Sequence, residues 1–109
     1  MSEFESIWKN LQRRLEVGTV VKNWTAFSGD LGDSMTVTNI DETSIEIEAP
    51  KAMNLQNVPR GDFEKVWEVW KDYKAQKVKR YELRDMTRFS KYIISLLHWN
   101  EEEGKNGEV

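Results

Sequence analysis

The chain contains no cysteine, a single histidine and only two prolines in 109 residues. Without thiols there is no disulfide framework and no thiolate metal site, and one histidine does not assemble the usual zinc ligand sets. Long apolar runs are missing as well. Stretches such as Tyr92 to Ile94 fall far short of the roughly 20 residues a membrane helix needs. The N-terminus has no basic and apolar leader of the secretory kind, so a cytoplasmic protein with no membrane partner is expected. What remains is a chain of one-domain length, able to bury about two thirds of the surface its unfolded form exposes.

Charged residues make up 32% of the sequence and the net charge is -3, which does not favour a general nucleic-acid binder. The distribution is uneven, however. Residues 71–91 carry a net +5, leaving -8 for the remainder. At 0.1 M salt exposed charges are screened beyond about 10 Å, so a basic segment attracts phosphate locally even on an acidic domain.

Hydrophobic periodicity gives the order of elements. Phe4, Ile7, Trp8, Leu11 and Leu15 form one stripe at helical spacing, with Ser2 and Glu5 as a capping-box pair at its start. Gly18 is a natural stop. From Thr19 to Thr25 the residues are β-branched or aromatic with polar interruptions, which suits a strand. The turn formers Ser28, Gly29, Asp30, Gly32 and Asp33 predict a loop, after which Met35, Val37 and Asn39 alternate with Thr36, Thr38 and Ile40 as a second strand. In the third strand, Ser44 to Ala49, Ile45 and Ile47 alternate with Glu46 and Glu48. The short break at Asp41, Glu42 and Thr43 predicts a hairpin, so the three strands form an antiparallel meander that Pro50 ends. The segment Lys51 to Pro59 has no clean period; Met53, Leu55 and Val58 are its anchors.

Asp62 is a candidate cap for a long helix with Phe63, Val66, Trp67 and Trp70 on one face, flanked by Val69 and Tyr73. Tyr81, Leu83 and Met86 suggest a shorter helix. A final helix, capped by Thr87 or Ser90, places Phe89, Tyr92, Ile93, Leu96 and Leu97 on its core side and Arg88, Lys91, Ser95 and His98 on the other. The expected fold is therefore a single α+β domain over residues 1–100, in the order α, β, β, β, α, α, α, with helices on one face of a three-stranded meander. Residues 101–109, with acids at 101, 102, 103 and 108, are expected to be a flexible tail.

No catalytic constellation stands out. Asp30, Asp33, Asp41 and Glu42 match no ion-binding loop and are the ordinary chemistry of turns. Glu46 and Glu48 form the polar half of an amphipathic strand, and His98 has no neighbouring nucleophile. Neither an enzyme nor a cofactor is expected. Four of the five tryptophans fall near apolar stripes and are expected to pack in the core, with Trp24 on the sheet face or at its edge.

The run ELRDMTRFSKYIISLL, within Val78 to Leu97, resembles the helix-turn-helix segment of small winged-helix or related DNA-binding modules. That resemblance implies that Arg88 and Lys91 face the groove, that Lys79, Arg80 and Arg84 contact phosphates, and that Leu83, Phe89, Ile93 and Leu96 pack. It makes duplex DNA the expected partner of a small nucleic-acid-binding or regulatory module. The alternative is a protein-interaction module in which exposed aromatic groups dock a protein partner or form a homodimer.

Overall fold

A computed structural model of the chain describes residues 3–49 and 54–106. The elements are α1 (Glu3–Arg14), β1 (Val20–Thr25), β2 (Gly29–Ile40), β3 (Ser44–Glu48), β4 (Gln56–Pro59), α2 (Arg60–Glu68), α3 (Trp70–Lys74), α4 (Arg80–Met86) and α5 (Ser90–Asn106). The strands form one antiparallel sheet in the order β1-β2-β3-β4. The α+β class and the meander agree with expectation, but the sheet has a fourth strand and the expected long helix is two. Ser2 and Pro50, named above as a cap residue and a strand end, lie outside the described residues, as does Met53.

One face of the sheet is apolar. Val21, Met35, Val37, Ile45, Ile47 and Val58 are buried and share a single cluster with Phe4, Trp8 and Leu11 of α1, Phe63 and Val66 of α2, and Ile93, Leu96 and Leu97 of α5. Glu48 and Asn57 are exposed and Thr36, Thr38 and Glu46 half-buried on the other face, where Thr38 donates to Glu46 at 2.9 Å. Two departures from simple alternation are visible. Between Val37 and Asn39 the register slips, so Asn39 is exposed while Ile40 faces Ile45 and packs against the core. A larger slip lies between Lys22, opposite Ser34, and Trp24, opposite Asp30. There the expected loop at Asp30 to Asp33 is instead part of β2, and Gly32, at φ +92°, adopts the left-handed conformation that the irregular register requires.

β4 escaped the sequence reading because Gln56, Asn57, Val58 and Pro59 hold one core residue. Its pairing with β3, Val58 against Ile45, makes it a strand, and Pro59 sits at its end, where the missing N–H is tolerated. Arg60 N–H then donates to Thr43 O at 2.8 Å, tying the start of α2 to the β2–β3 turn. That turn is built on Asp41, whose carboxylate accepts from the Thr43 and Ser44 amides, both at 2.9 Å, and from both hydroxyls. From α1, Trp8 Nε1 and Gln12 Nε2 donate to the carbonyls of Glu42 and Asp41.

Asp62 does not cap α2. Its Oδ2 accepts from the buried Thr87 hydroxyl at 2.7 Å, so it joins α2 to the turn before α5. α2 and α3 are separated at Val69, whose φ of -115° and ψ of 12° leave the helical region. The apolar pattern continues through this break, which is why it predicts one helix.

α5 is the most enclosed helix. Ser90, Ile93, Ile94, Ser95, Leu96, Leu97 and Asn100 are all buried, so the core side is covered and, at Ser95, part of the expected polar side as well. Ser95 is 1% exposed and its hydroxyl accepts the Trp24 N–H at 3.1 Å while donating to Lys91 O. Tyr73 OH accepts the Ala26 N–H at 3.2 Å just beyond the end of β1. Hydroxyls on helices thus satisfy outward amides along this edge of the sheet. The expected domain end at residue 100 falls inside α5, which runs to Asn106; residues 107–109 lie outside the described residues.

Replacing Ser95 with Ala leaves the Trp24 amide without its acceptor and should lower the unfolding free energy by about 1–3 kcal/mol, set against a few tenths gained in helix propensity. Urea denaturation checks it; an unchanged midpoint would show that the amide is satisfied in another way. Asp41 gives a pH-dependent test. The Thr43 amide, chiefly, holds its carboxyl below the ordinary aspartate range. Its contribution to stability should be complete above the ordinary value of about 4 and be lost as pH falls through the depressed folded value. The gap in melting temperature between the native chain and Asp41→Ala should therefore stay constant near neutrality and close in acid.

Candidate functional site

An apolar cleft lies between the tip of the β1–β2 hairpin and the connection from α3 to α4. Thr25, Ala26, Phe27, Ser28 and Leu31 form one wall, and Gln76, Val78, Lys79 and Arg80 the other, with Tyr73 between them. Its volume is about 470 Å³, within the range of small-ligand sites. The tip is a tight turn in which Ser28 N–H donates to Thr25 Oγ1 and Gly29 takes φ +72°. A residue at the outside of so short a turn has nothing to pack against, and Phe27 is 85% exposed. Leu31 is 46% exposed on the same wall.

The opposite wall is the C-terminal end of α3. Gln76 N–H donates to Tyr73 O, and the amides of Lys77 and Val78 both reach Asp72 O. This closure places Gln76 at φ +63°, the one left-handed residue other than glycine among the described residues. Such strain costs of order 1 kcal/mol or more and persists only where its surroundings enforce it. α4 begins immediately afterwards, with the Glu82 carboxylate accepting the Lys79 amide at 2.6 Å.

Lys79 and Arg80 are the charged residues that line the cleft. Arg80 is half-buried, and its Nε is buried with no acceptor among the described residues. Arg84 lies one turn further along the same flank of α4, exposed, while Glu82 and Asp85 fall on another flank. Arg88 is exposed in the turn after α4, with its guanidinium 4.7 Å from the Phe89 ring centroid, and Lys91 is exposed in the first turn of α5. Among the described residues no carboxylate forms an ion pair with any of these five cations. α4 and α5 do form two helices across a short turn. Over 90–97, however, α5 offers solvent-facing charge only in its first turn, since 93–97 are buried in succession.

Behind the cleft runs a train of rings. Tyr73 stacks on Trp70 at 5.8 Å, Trp70 lies 6.1 Å from Trp24, and Trp24 stacks on His98 at 4.0 Å with only 3° between the planes. His98, expected on the polar side of its helix, is half-buried here. Glu101 closes the train: its Oε1 accepts the Trp70 indole N–H at 2.5 Å, and Lys74 Nζ lies 2.8 Å from its Oε2. Trp8 and Trp70 are buried, and Trp24, Trp67 and Trp99 pack partly buried against the core. The strongly exposed aromatics are therefore Phe27 and Tyr81. A large apolar residue inside the turn sequence Ala26-Phe27-Ser28-Gly29, with no periodic partner, is the signal that points to the first of these.

Trp70 is 1% exposed, so removing its acceptor should cost about 1–3 kcal/mol, most of it the indole left unpaired. The Lys74–Glu101 pair, about a third exposed on each side, adds little. In urea denaturation, Glu101→Ala should be clearly destabilising in the native chain and nearly neutral on a Trp70→Phe background. Equal costs in both backgrounds would disprove the coupling. No protein-family model, curated protein or solved structure matches this chain.

Proposed function

We propose that this chain is a small non-enzymatic nucleic-acid-binding module whose contact surface runs from the apolar cleft along Lys79, Arg80, Arg84, Arg88 and Lys91. The observation that carries this reading is the succession of those cations along α4, the turn after it and the first turn of α5, none ion-paired with a carboxylate among the described residues, leading from a cleft whose charged lining is Lys79 and Arg80. Unpaired surface cations release counterions when they meet phosphates, and the resulting affinity depends on salt and not on sequence. In this reading Arg84, Arg88 and Lys91 supply that general term. Their neighbours Glu82 and Asp85 oppose it from another flank of α4, and the acidic remainder of the chain limits it to this face.

Phe27, Leu31 and Tyr81 favour a second reading, in which the same face docks a protein through exposed apolar groups. The two differ in their response to salt. Fluorescence anisotropy with labelled oligonucleotides should give log K falling against log salt with a slope of about -2 to -4, as expected for three to five phosphate contacts. Reversing Arg84, Arg88 and Lys91 to Glu should abolish binding while leaving the melting temperature within a few degrees. Absence of binding at 50 mM salt, or binding indifferent to the triple reversal, would overturn the proposal.

A further inference from the structure

We infer that the cleft seats one unstacked base of a single-stranded nucleic acid, its ring on Phe27 and its phosphate on Lys79 and Arg80; this rests on the nucleic-acid reading above. The platform is built before any ligand arrives. Phe27 is 85% exposed, yet the backbone beside it is held by the Ala26 amide on Tyr73 OH and the Ser28 amide on Thr25 Oγ1. An aromatic ring carried on a backbone anchored in this way stacks a base with little backbone ordering cost, whatever the base.

The charges select the rest of the ligand. Apolar walls with Lys79 and Arg80 as their charged lining fit a flat apolar group that carries an anion. Arg80 is half-buried in the cleft wall, so the part of its guanidinium that faces the cleft can meet a phosphate oxygen in a charge-assisted bond, and a small rotation of the side chain would bring its Nε–H, buried here with no acceptor among the described residues, to the same anion. One acidic side chain of a peptide would do the same at this point. It would not account for Arg84, about 6 Å further along the same flank of α4, nor for Arg88 and Lys91 beyond it. Recurring cations leading away from a stacking ring match a polyanion with a phosphate at every residue.

Strandedness follows from access. In a duplex the bases are stacked inside, and one would have to be extruded to reach Phe27. A groove-entering helix would need a free face, whereas α5 is buried through 93–97.

The test uses the full chain with a fluorescein-labelled oligo-dT of about ten nucleotides, a duplex of equal length and poly-glutamate. Oligo-dT should bind more tightly than the duplex. Phe27→Ala should weaken oligo-dT by about 5- to 150-fold, the range for losing one stacked base, and leave the duplex unchanged, while Phe27→Tyr should retain binding. Arg80→Gln should weaken oligo-dT by about tenfold, as for a lost charge-assisted bond. Equal affinity for single strand and duplex, both insensitive to Phe27→Ala, would overturn this inference and leave the nucleic-acid reading standing. Failure of both nucleic acids to bind, or Phe27-dependent capture of poly-glutamate as tight as that of oligo-dT, would overturn both.

Discussion

The enclosure of α5 is the constraint on which the other elements depend. Ile93, Ile94, Leu96 and Leu97 are buried on several sides at once, so the sheet, α1, α2 and α4 must each present an apolar surface to the same helix. Over 93–97 a helix placed this way has no polar side to spare. Between its exposed ends, polar groups are taken up by neighbours: the Ser95 hydroxyl by the backbone of β1, the Asn100 backbone carbonyl by Arg14, and the Glu101 carboxylate by Trp70 and Lys74. Each of these bonds also fixes where another element sits, so the helix aligns the domain as well as filling it.

The cleft inherits its rigidity from that arrangement. Tyr73 stacks on Trp70 and bonds to the hairpin, and Trp70 is held in turn by Glu101 of α5. The hairpin tip, the end of α3 and the start of α4 are thereby referred to one frame. The strained Gln76 sits where these pieces meet, and its cost is offset by the backbone hydrogen bonds that close the end of α3 around it.

Much of the fold is legible in the sequence where one period dominates. The helical stripe of Phe4, Trp8, Leu11 and Leu15 and the alternation of Ile45 and Ile47 are both reproduced in the burial. The failures have a common cause, which is that the deciding partner is distant in sequence. Val58 is a strand residue because Ile45 lies opposite it, and Ile40 turns inward because the register slips beside Thr38. Ser95 looks like a solvent-facing position until Trp24, from another element, donates to it. The cleft was half visible: Lys79 and Arg80 are marked by charge, but the opposing Phe27 and Leu31 come from a hairpin some fifty residues away. Arg84, Arg88 and Lys91 are exposed as the sequence suggests, whereas the helix expected to present them is mostly core.

The treatment of the sheet's two margins has a consequence for recognition. An exposed strand margin usually invites another chain to extend the sheet through main-chain hydrogen bonds, a mode indifferent to side-chain identity and prone to uncontrolled polymerisation. Here the Trp24 amide of β1 and the Ala26 amide just beyond it are already taken by the hydroxyls of Ser95 and Tyr73, and at the opposite margin β4 offers four residues closing on a proline. Strand addition is therefore hindered beside Trp24 at one margin and limited by length at the other. Where the backbone of these margins is withheld in this way, side chains are what the domain has left to present there, and they can change one at a time while the hydrogen bonds that hold the sheet stay in place.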